Sequence, residues 1–176
     1  MICPDHGIIW RKDPSEIINA YVEWSKQTPK RKALVIYDSM WHSTEAMAKA
    51  IVEALGAEGV DARPYHLRAD HRSDVITEVL DAGAIVVGSP TLNNGLFPTV
   101  SDFLTYMKGL KPQNKVAAAF GSYGWSGEAV KLINTELEAM KFDVVDPGVR
   151  VQYVPDEAAL DQCTALAKKI AQALPE

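Results

Sequence analysis

Only two of the 176 residues are cysteines, Cys3 and Cys163, and they form neither a Cys-x-x-Cys pair nor a zinc-ligand spacing. A dithiol redox motif and a zinc knuckle are thereby excluded, and two free thiols suit a reducing compartment. No apolar run approaches the ~20 residues that a membrane span needs. The start, Met1-Ile2-Cys3-Pro4-Asp5-His6-Gly7, lacks the basic and apolar regions of a signal peptide, so the expected location is the cytoplasm. Basic charge is also short. A formal net charge of −5 disfavours nucleic acid and anionic membrane as partners, since both need a basic face. Internal repeats and low-complexity segments are absent. What remains is a chain that is 47% hydrophobic and long enough for one domain with a sizeable core, or for one domain and an appendage.

From residue 32 onward, strand-like and helix-like segments alternate. The strands are expected at Ala33–Tyr37, Val60–Leu67, Ala84–Gly88, Lys115–Phe120 and Asp143–Tyr153. Helical patterns follow at Thr44–Leu55, Ser73–Leu80, Pro98–Met107, Gly127–Met140 and Asp156–Leu174. Leu34-Val35-Ile36 and Ile85-Val86-Val87 are continuously apolar, as strands covered on both faces should be. Such alternation predicts a doubly wound α/β fold around a five-stranded parallel sheet with right-handed crossovers. Residues 1–31 stand outside this pattern. Asp13-Pro14-Ser15-Glu16 is a helix start, Ile17, Ile18, Tyr21, Val22 and Trp24 give a short helix an apolar face, and Gln27 to Lys32 form a polar linker. The first 26 residues therefore read as the end of another unit tethered to an αβ domain of residues 32–176.

In an open parallel sheet, ligands bind beyond the carboxyl ends of the strands where the winding reverses. Three loops should meet there. The first, Tyr37-Asp38-Ser39-Met40-Trp41-His42-Ser43-Thr44-Glu45, joins a buried strand to a helix start. Free backbone N–H groups, the helix dipole and hydroxyls at such a turn suit a phosphate. The turn has no Lys or Arg, and the Gly-x-x-x-x-Gly-Lys pattern of a nucleotide P-loop is missing. A single phosphate monoester, as on FMN, fits better. The second loop is Gly88-Ser89-Pro90-Thr91-Leu92-Asn93-Asn94-Gly95. The third is Phe120-Gly121-Ser122-Tyr123-Gly124-Trp125-Ser126-Gly127. Gly95, Gly121, Gly124 and Gly127 permit close backbone approach, Asn93 and Asn94 tolerate left-handed backbone, and Trp41, Tyr123 and Trp125 offer stacking faces. His42 reads first as a loop residue lending only its N–H, with a bond to the phosphate as the alternative. The basic segment Arg63, His66, Arg68, His71 and Arg72 reads as a solvated loop balanced by Asp61, Asp70 and Asp74, with docking of an acidic redox partner as the alternative.

These loops resemble the three FMN-binding loops of the flavodoxin-like domain of flavodiiron proteins. Pro4-Asp5-His6-Gly7-Ile8-Ile9-Trp10-Arg11 is similar to the last stretch of that family's metallo-β-lactamase-like diiron domain. The resemblance implies the flavodoxin strand order 2-1-3-4-5 and FMN as cofactor. It makes the cofactor contacts Ser39, Met40, Trp41, His42, Ser43 and Thr44 in the first loop. In the second they are Pro90, Thr91, Leu92, Asn93, Asn94 and Gly95, and in the third Phe120, Gly121, Ser122, Tyr123, Gly124 and Trp125. The turn Asn93-Asn94-Gly95 is the expected partner of flavin N5. It further implies an electron relay that feeds a diiron centre, in the same or a neighbouring subunit, which reduces dioxygen to water or nitric oxide to nitrous oxide. A small donor such as rubredoxin and a head-to-tail homodimer complete the picture. His6 would match the final iron ligand, but its partner ligands lie outside these residues, so no iron and no catalytic residue is expected in this chain alone. Trp41 and His42 stand where flavodoxins usually have a small hydroxyl residue and glycine, which could bring an aromatic ring close to the ribityl chain.

Two other readings use the same fold: a free-standing short-chain flavodoxin that only carries electrons, and an NAD(P)H-dependent FMN or quinone reductase. The tail His6-Gly7-Ile8-Ile9-Trp10 argues against the first, and no nicotinamide site is apparent for the second. A phospho-receiver domain is excluded, because Ser89 and Gly121-Ser122 occupy the positions where it requires Asp and Lys.

Overall fold

The computed structural model describes residues 1–176. Helix α1 (Pro14–Lys26) precedes strand β1 (Lys30–Tyr37), helix α2 (Ser43–Ala57), β2 (Asp61–His66), α3 (Arg72–Val79) and β3 (Ala82–Gly88). Then come α4 (Pro98–Leu110), β4 (Val116–Tyr123), α5 (Ala129–Ala139), β5 (Asp143–Val144), β6 (Val149–Gln152) and α6 (Glu157–Ala173). The strands pair in the order β2-β1-β3-β4-β5, all parallel, as in the flavodoxin arrangement. Because successive side chains of a strand face opposite ways, each apolar run supplies both faces at once. Ala33, Val35, Ala84, Val86, Ala118 and Phe120 pack under α2 and α6. Leu34, Ile36, Ile85, Val87, Ala117 and Ala119 pack under α3, α4 and α5. Neither face is left open, which explains why these strands carry no polar alternation.

The fifth strand differs from its expected form. Instead of one run from Asp143 to Tyr153, two short strands lie on β4 one after the other. Asp143 pairs with Val116 in β5, and Val149 to Gln152 pair with Phe120 to Tyr123 in β6. Between them sits Asp146-Pro147-Gly148. Pro147 has no N–H for the ladder, Gly148 takes φ 96, and its N–H donates to Asp146 Oδ1 at 2.8 Å.

β1 also begins earlier than the linker reading placed it. Lys30 and Lys32 belong to the sheet. Lys32 is buried, with Nζ 2.6 Å from both Glu78 Oε2 and Asp81 Oδ1, so a polar sequence is accommodated as ion pairs at the strand's start. Ahead of it, α1 is capped by Asp13, whose side chain accepts from the Ser15 N–H, and it stops at Gln27 in the left-handed conformation. No residue of α1 is buried, and Ile18, Tyr21, Val22 and Trp24 remain exposed. No helix is long and apolar enough to cross a membrane.

Candidate functional site

The carboxyl ends of β1, β3 and β4 open onto a cleft of about 250 Å³. Met40, Trp41 and Ser43 form its first wall, and Pro90 and Thr91 form the second. Ser122, Tyr123 and Gly124 form the third. Tyr153 and Val154 close the fourth side. A larger apolar hollow of about 390 Å³ lies beside Trp24, Leu80, Met107 and Leu110, at the other end of the sheet, where no polar groups converge to orient a ligand.

The loops reach this arrangement through specific bonds. Thr44 Oγ1 and Ser122 Oγ are 2.9 Å apart and buried, which ties the start of α2 to the end of β4. The Thr91 N–H donates to the Ser122 carbonyl at 2.9 Å, linking the second loop to the third. The Tyr153 N–H donates to the Tyr123 carbonyl at 2.8 Å, bringing in the end of β6. Leu92 and Gly95 exchange both backbone bonds, at 3.1 and 2.9 Å, around Asn93 (φ 50) and Asn94 (φ 57). That geometry is a tight two-residue turn with positive φ at both central positions, which asparagine tolerates better than most residues. Ser126 Oγ lies 3.1 Å from Asn94 Oδ1 and joins this turn to the third loop.

The first loop is built for an anion. His42 precedes α2 at φ 66 and its side chain caps nothing, so the helix start keeps its open N–H groups. From Met40 to Glu45 no backbone N–H donates to any group of the protein. Beside this row, Ser39 Oγ is buried and without a hydrogen-bond partner. A buried hydroxyl left unpaired is costly unless a ligand satisfies it. One phosphate would satisfy both the row and the hydroxyl, so the residues present fit a phosphate ester.

Glu45, in the first turn of α2, has both carboxylate oxygens engaged by its neighbours. Its Oε2 is 2.8 Å from His42 Nδ1 and its Oε1 is 2.7 Å from Lys49 Nζ. The bond from His42, followed by that from Lys49, holds its pKa down at about 2, against an ordinary 4.5. A folded-state value below the unfolded one stabilises the protein above pH 4.5, and that contribution is lost as the pH falls from 4.5 toward 2. A carboxyl ¹³C titration is expected to place Glu45 near 2, and His42→Ala is expected to move it upward. An unchanged value in the variant would show that His42 contributes nothing.

Not every expected contact lines the cleft. Phe120 is fully buried, its ring packed against Gly88 in the core under α2 and α6, and it does not line the cleft. Gly121 lies against the Ser89 backbone under the cleft floor, and Leu92 to Gly95 stand beside the cleft as the turn already described. His42 is open to solvent, its side chain 87% exposed. Tyr153, read in the sequence only as the end of the fifth strand, and Val154 are not among the expected contacts. Their signal was positional: they follow the fifth strand, whose carboxyl end must share the same edge. His6 is exposed, and nowhere do three His, Cys, Asp or Glu side chains gather as a metal site would need.

A doubly wound parallel sheet with an uncapped, hydroxyl-bearing loop after its first strand defines a mononucleotide-binding α/β domain. Residues 35–166 match the sequence model of the flavodoxin family. A nitric oxide reductase of Moorella thermoacetica is 48% identical over 171 residues, covering 97% of this chain and 43% of that protein. The rubredoxin-oxygen oxidoreductase of Megalodesulfovibrio gigas is 46% identical over 175 residues, covering 98% and 44%. Among solved structures, the flavodiiron protein of Giardia intestinalis superposes with a TM-score of 0.88 at 32% identity, covering 95% of this chain and 42% of that one. The chain belongs to the flavodoxin family, and the relatives and structure just described include a flavodiiron protein. It is an FMN-binding domain, and it spans less than half the length of the curated relatives it matches.

Proposed function

We propose that this chain is the electron-relay module of a flavodiiron oxidoreductase. FMN supplies reversible one- and two-electron chemistry when bound. The residues of the chain hold and shield it. The N–H groups from Met40 to Glu45 and the hydroxyls of Ser39, Ser43 and Thr44 would take the phosphate. Trp41 (82% exposed), Trp125 (93%) and Tyr153 (66%) stand in solvent around the cleft, where large aromatic faces gain most by covering a flat ring. The Asn93-Asn94 turn, pinned by the Leu92–Gly95 pair, offers a rigid peptide at the rim. The reading is carried by the buried, unpaired Ser39 hydroxyl beside a row of free N–H groups.

Residues 1–26 read as the closing segment of a preceding diiron domain, joined by a short linker. Ile8, Ile9, Ile18, Tyr21, Val22 and Trp24 are exposed, which supports packing against protein beyond this αβ domain. On this reading electrons pass from a rubredoxin-like donor to the flavin and on to a diiron site in the same or a neighbouring subunit of a head-to-tail dimer, with dioxygen or nitric oxide as the final acceptor. The first test is flavin titration of the purified chain. Tight, fluorescence-quenching uptake of FMN is expected, with weaker uptake of riboflavin, which lacks the phosphate. Stopped-flow mixing with NADH should show no hydride transfer, which separates this reading from a nicotinamide-dependent reductase. Protein that stays colourless with either flavin would sink the proposal.

A further inference from the structure

The phosphate loop contains no cation, yet a carboxylate is buried directly behind it. Asp38 directly follows β1, is fully shielded from solvent, and immediately precedes Ser39. An ionised carboxylate at that depth needs close partners, and a phosphate bound on the next residues adds like charge beside it. Four groups surround it. The Ser39 N–H donates to Oδ1 at 2.6 Å, and Thr99 Oγ1 donates to Oδ2. His66 Nε2 lies 3.2 Å and Arg68 Nε 3.0 Å from Oδ1. Only Arg68 among them carries a permanent charge.

We infer that Arg68 is a positioning residue for the phosphate end of the FMN site, acting by neutralising Asp38 and anchoring the carbonyl of Ser39. The inference rests on the FMN reading above. The guanidinium reaches both groups at once, because a second nitrogen, Nη2, donates to the Ser39 carbonyl at 2.9 Å. A carbonyl held by a cation is withdrawn from competition with an incoming anion, and the N–H groups that follow in the chain are left to face it. The guanidinium is itself held in place, 5.0 Å above the Phe97 ring, and the Phe97 N–H donates to Ser89 Oγ at 3.0 Å. Arg68 thus spans the first and second loops from a position behind them. His66 is fixed as well, stacked on Tyr37 with ring centroids 5.1 Å apart and planes 5° from parallel.

This sorts the basic segment that begins in β2 and runs on past it. Arg63 pairs with Asp61 and Glu78, and Arg72 pairs with Asp102 across to α4, so both belong to surface ion pairs. Arg68 alone among its arginines faces the loop. A site without a lysine or arginine of its own draws its positive charge from the next β–α connection, through a carboxylate and a carbonyl.

Phosphate dependence separates this role from mere support of the fold. FMN and riboflavin share the ring and ribityl chain and differ in the phosphate. Arg68→Ala is expected to weaken FMN binding about tenfold or more, a step of about 1.4 kcal/mol, while riboflavin binding stays within about twofold. Arg68→Lys is expected to recover part of the loss, because it restores the charge without the fork. Adding Asp38→Asn to Arg68→Ala removes the unpaired carboxylate and is expected to return FMN affinity to within about threefold of the parent. Equal losses of FMN and riboflavin in Arg68→Ala would reduce the residue to a structural prop, and an unchanged FMN affinity would end the proposal outright. Should Arg68→Ala fail to fold, the double variant decides, since a tenfold deficit in it alone excludes neutralisation of Asp38 as the cause. A parent chain that takes up neither flavin overturns the FMN reading together with this one, whereas normal uptake with Arg68→Ala indistinguishable from the parent overturns this one alone.

Discussion

Phe120→Ala is expected to cost the domain about 3–5 kcal/mol of stability, the range for deleting a large aromatic ring from a packed core. The ring is fully buried in the layer beneath α2 and α6. It presses against Gly88, where an added Cβ would come within 2.2 Å of the ring's Cζ, so glycine on β3 and phenylalanine on β4 are complementary. β3 and β4 pair through these two residues, and the Ser89 N–H that opens the second loop donates to the Phe120 carbonyl at 3.1 Å. Removing the ring therefore leaves a cavity under the cleft floor that backbone pairing prevents from closing. Urea denaturation of the flavin-free protein measures this. Trp125→Ala is the control: that ring is 93% exposed, and its loss should change stability by no more than about 0.5 kcal/mol. A Phe120 variant as stable as the Trp125 variant would show that the ring is not part of the core.

Gly121→Ala should lower stability by about 3 kcal/mol and sharply weaken flavin uptake as well, because the clash is with backbone. A Cβ at residue 121 would sit 2.1 Å from the Ser89 carbonyl oxygen and 3.3 Å from Val130 Cγ2. Ser89 has little freedom to yield. It is buried, its N–H is held by Phe120, and its hydroxyl donates to the Pro90 carbonyl at 2.8 Å and accepts the Phe97 N–H at 3.0 Å. Moving Ser89 moves Pro90 and Thr91, which line the cleft, and Phe97, on which Arg68 rests. Denaturation and FMN titration of the same variant should therefore both report damage. Wild-type affinity in a destabilised protein would show that the second loop relaxes independently of its strand.

Both effects concern residues whose sequence context pointed elsewhere. Phe120 and Gly121 stand in a loop-like, glycine-rich stretch and resemble ligand contacts, yet β4 continues through them to Tyr123. The stretch Gly121-Ser122-Tyr123 reads as a loop by composition and is a strand by pairing with Arg150 to Gln152. Likewise Lys32 looks like part of a tether by charge, and only the carboxylates of Glu78 and Asp81 let it sit buried at the strand's start. Arg68 and Asp38, thirty residues apart in the chain, could not be associated before β1 and β2 were paired, with Tyr37 beside His66.

From the sequence alone came the doubly wound class, the positions of the main strands, the hydroxyl-bearing loop after β1 and the absence of a cation within it. These follow from local quantities: apolar runs, helix-start signals and the residue types allowed at a turn. Only the tertiary structure decided that Tyr153 and Val154 complete the cleft and that Phe120 faces inward. It also placed Arg68 against Asp38 and the Ser39 carbonyl. Each of these depends on which segments pair and in what register, and pairing between distant segments leaves no mark in any one of them.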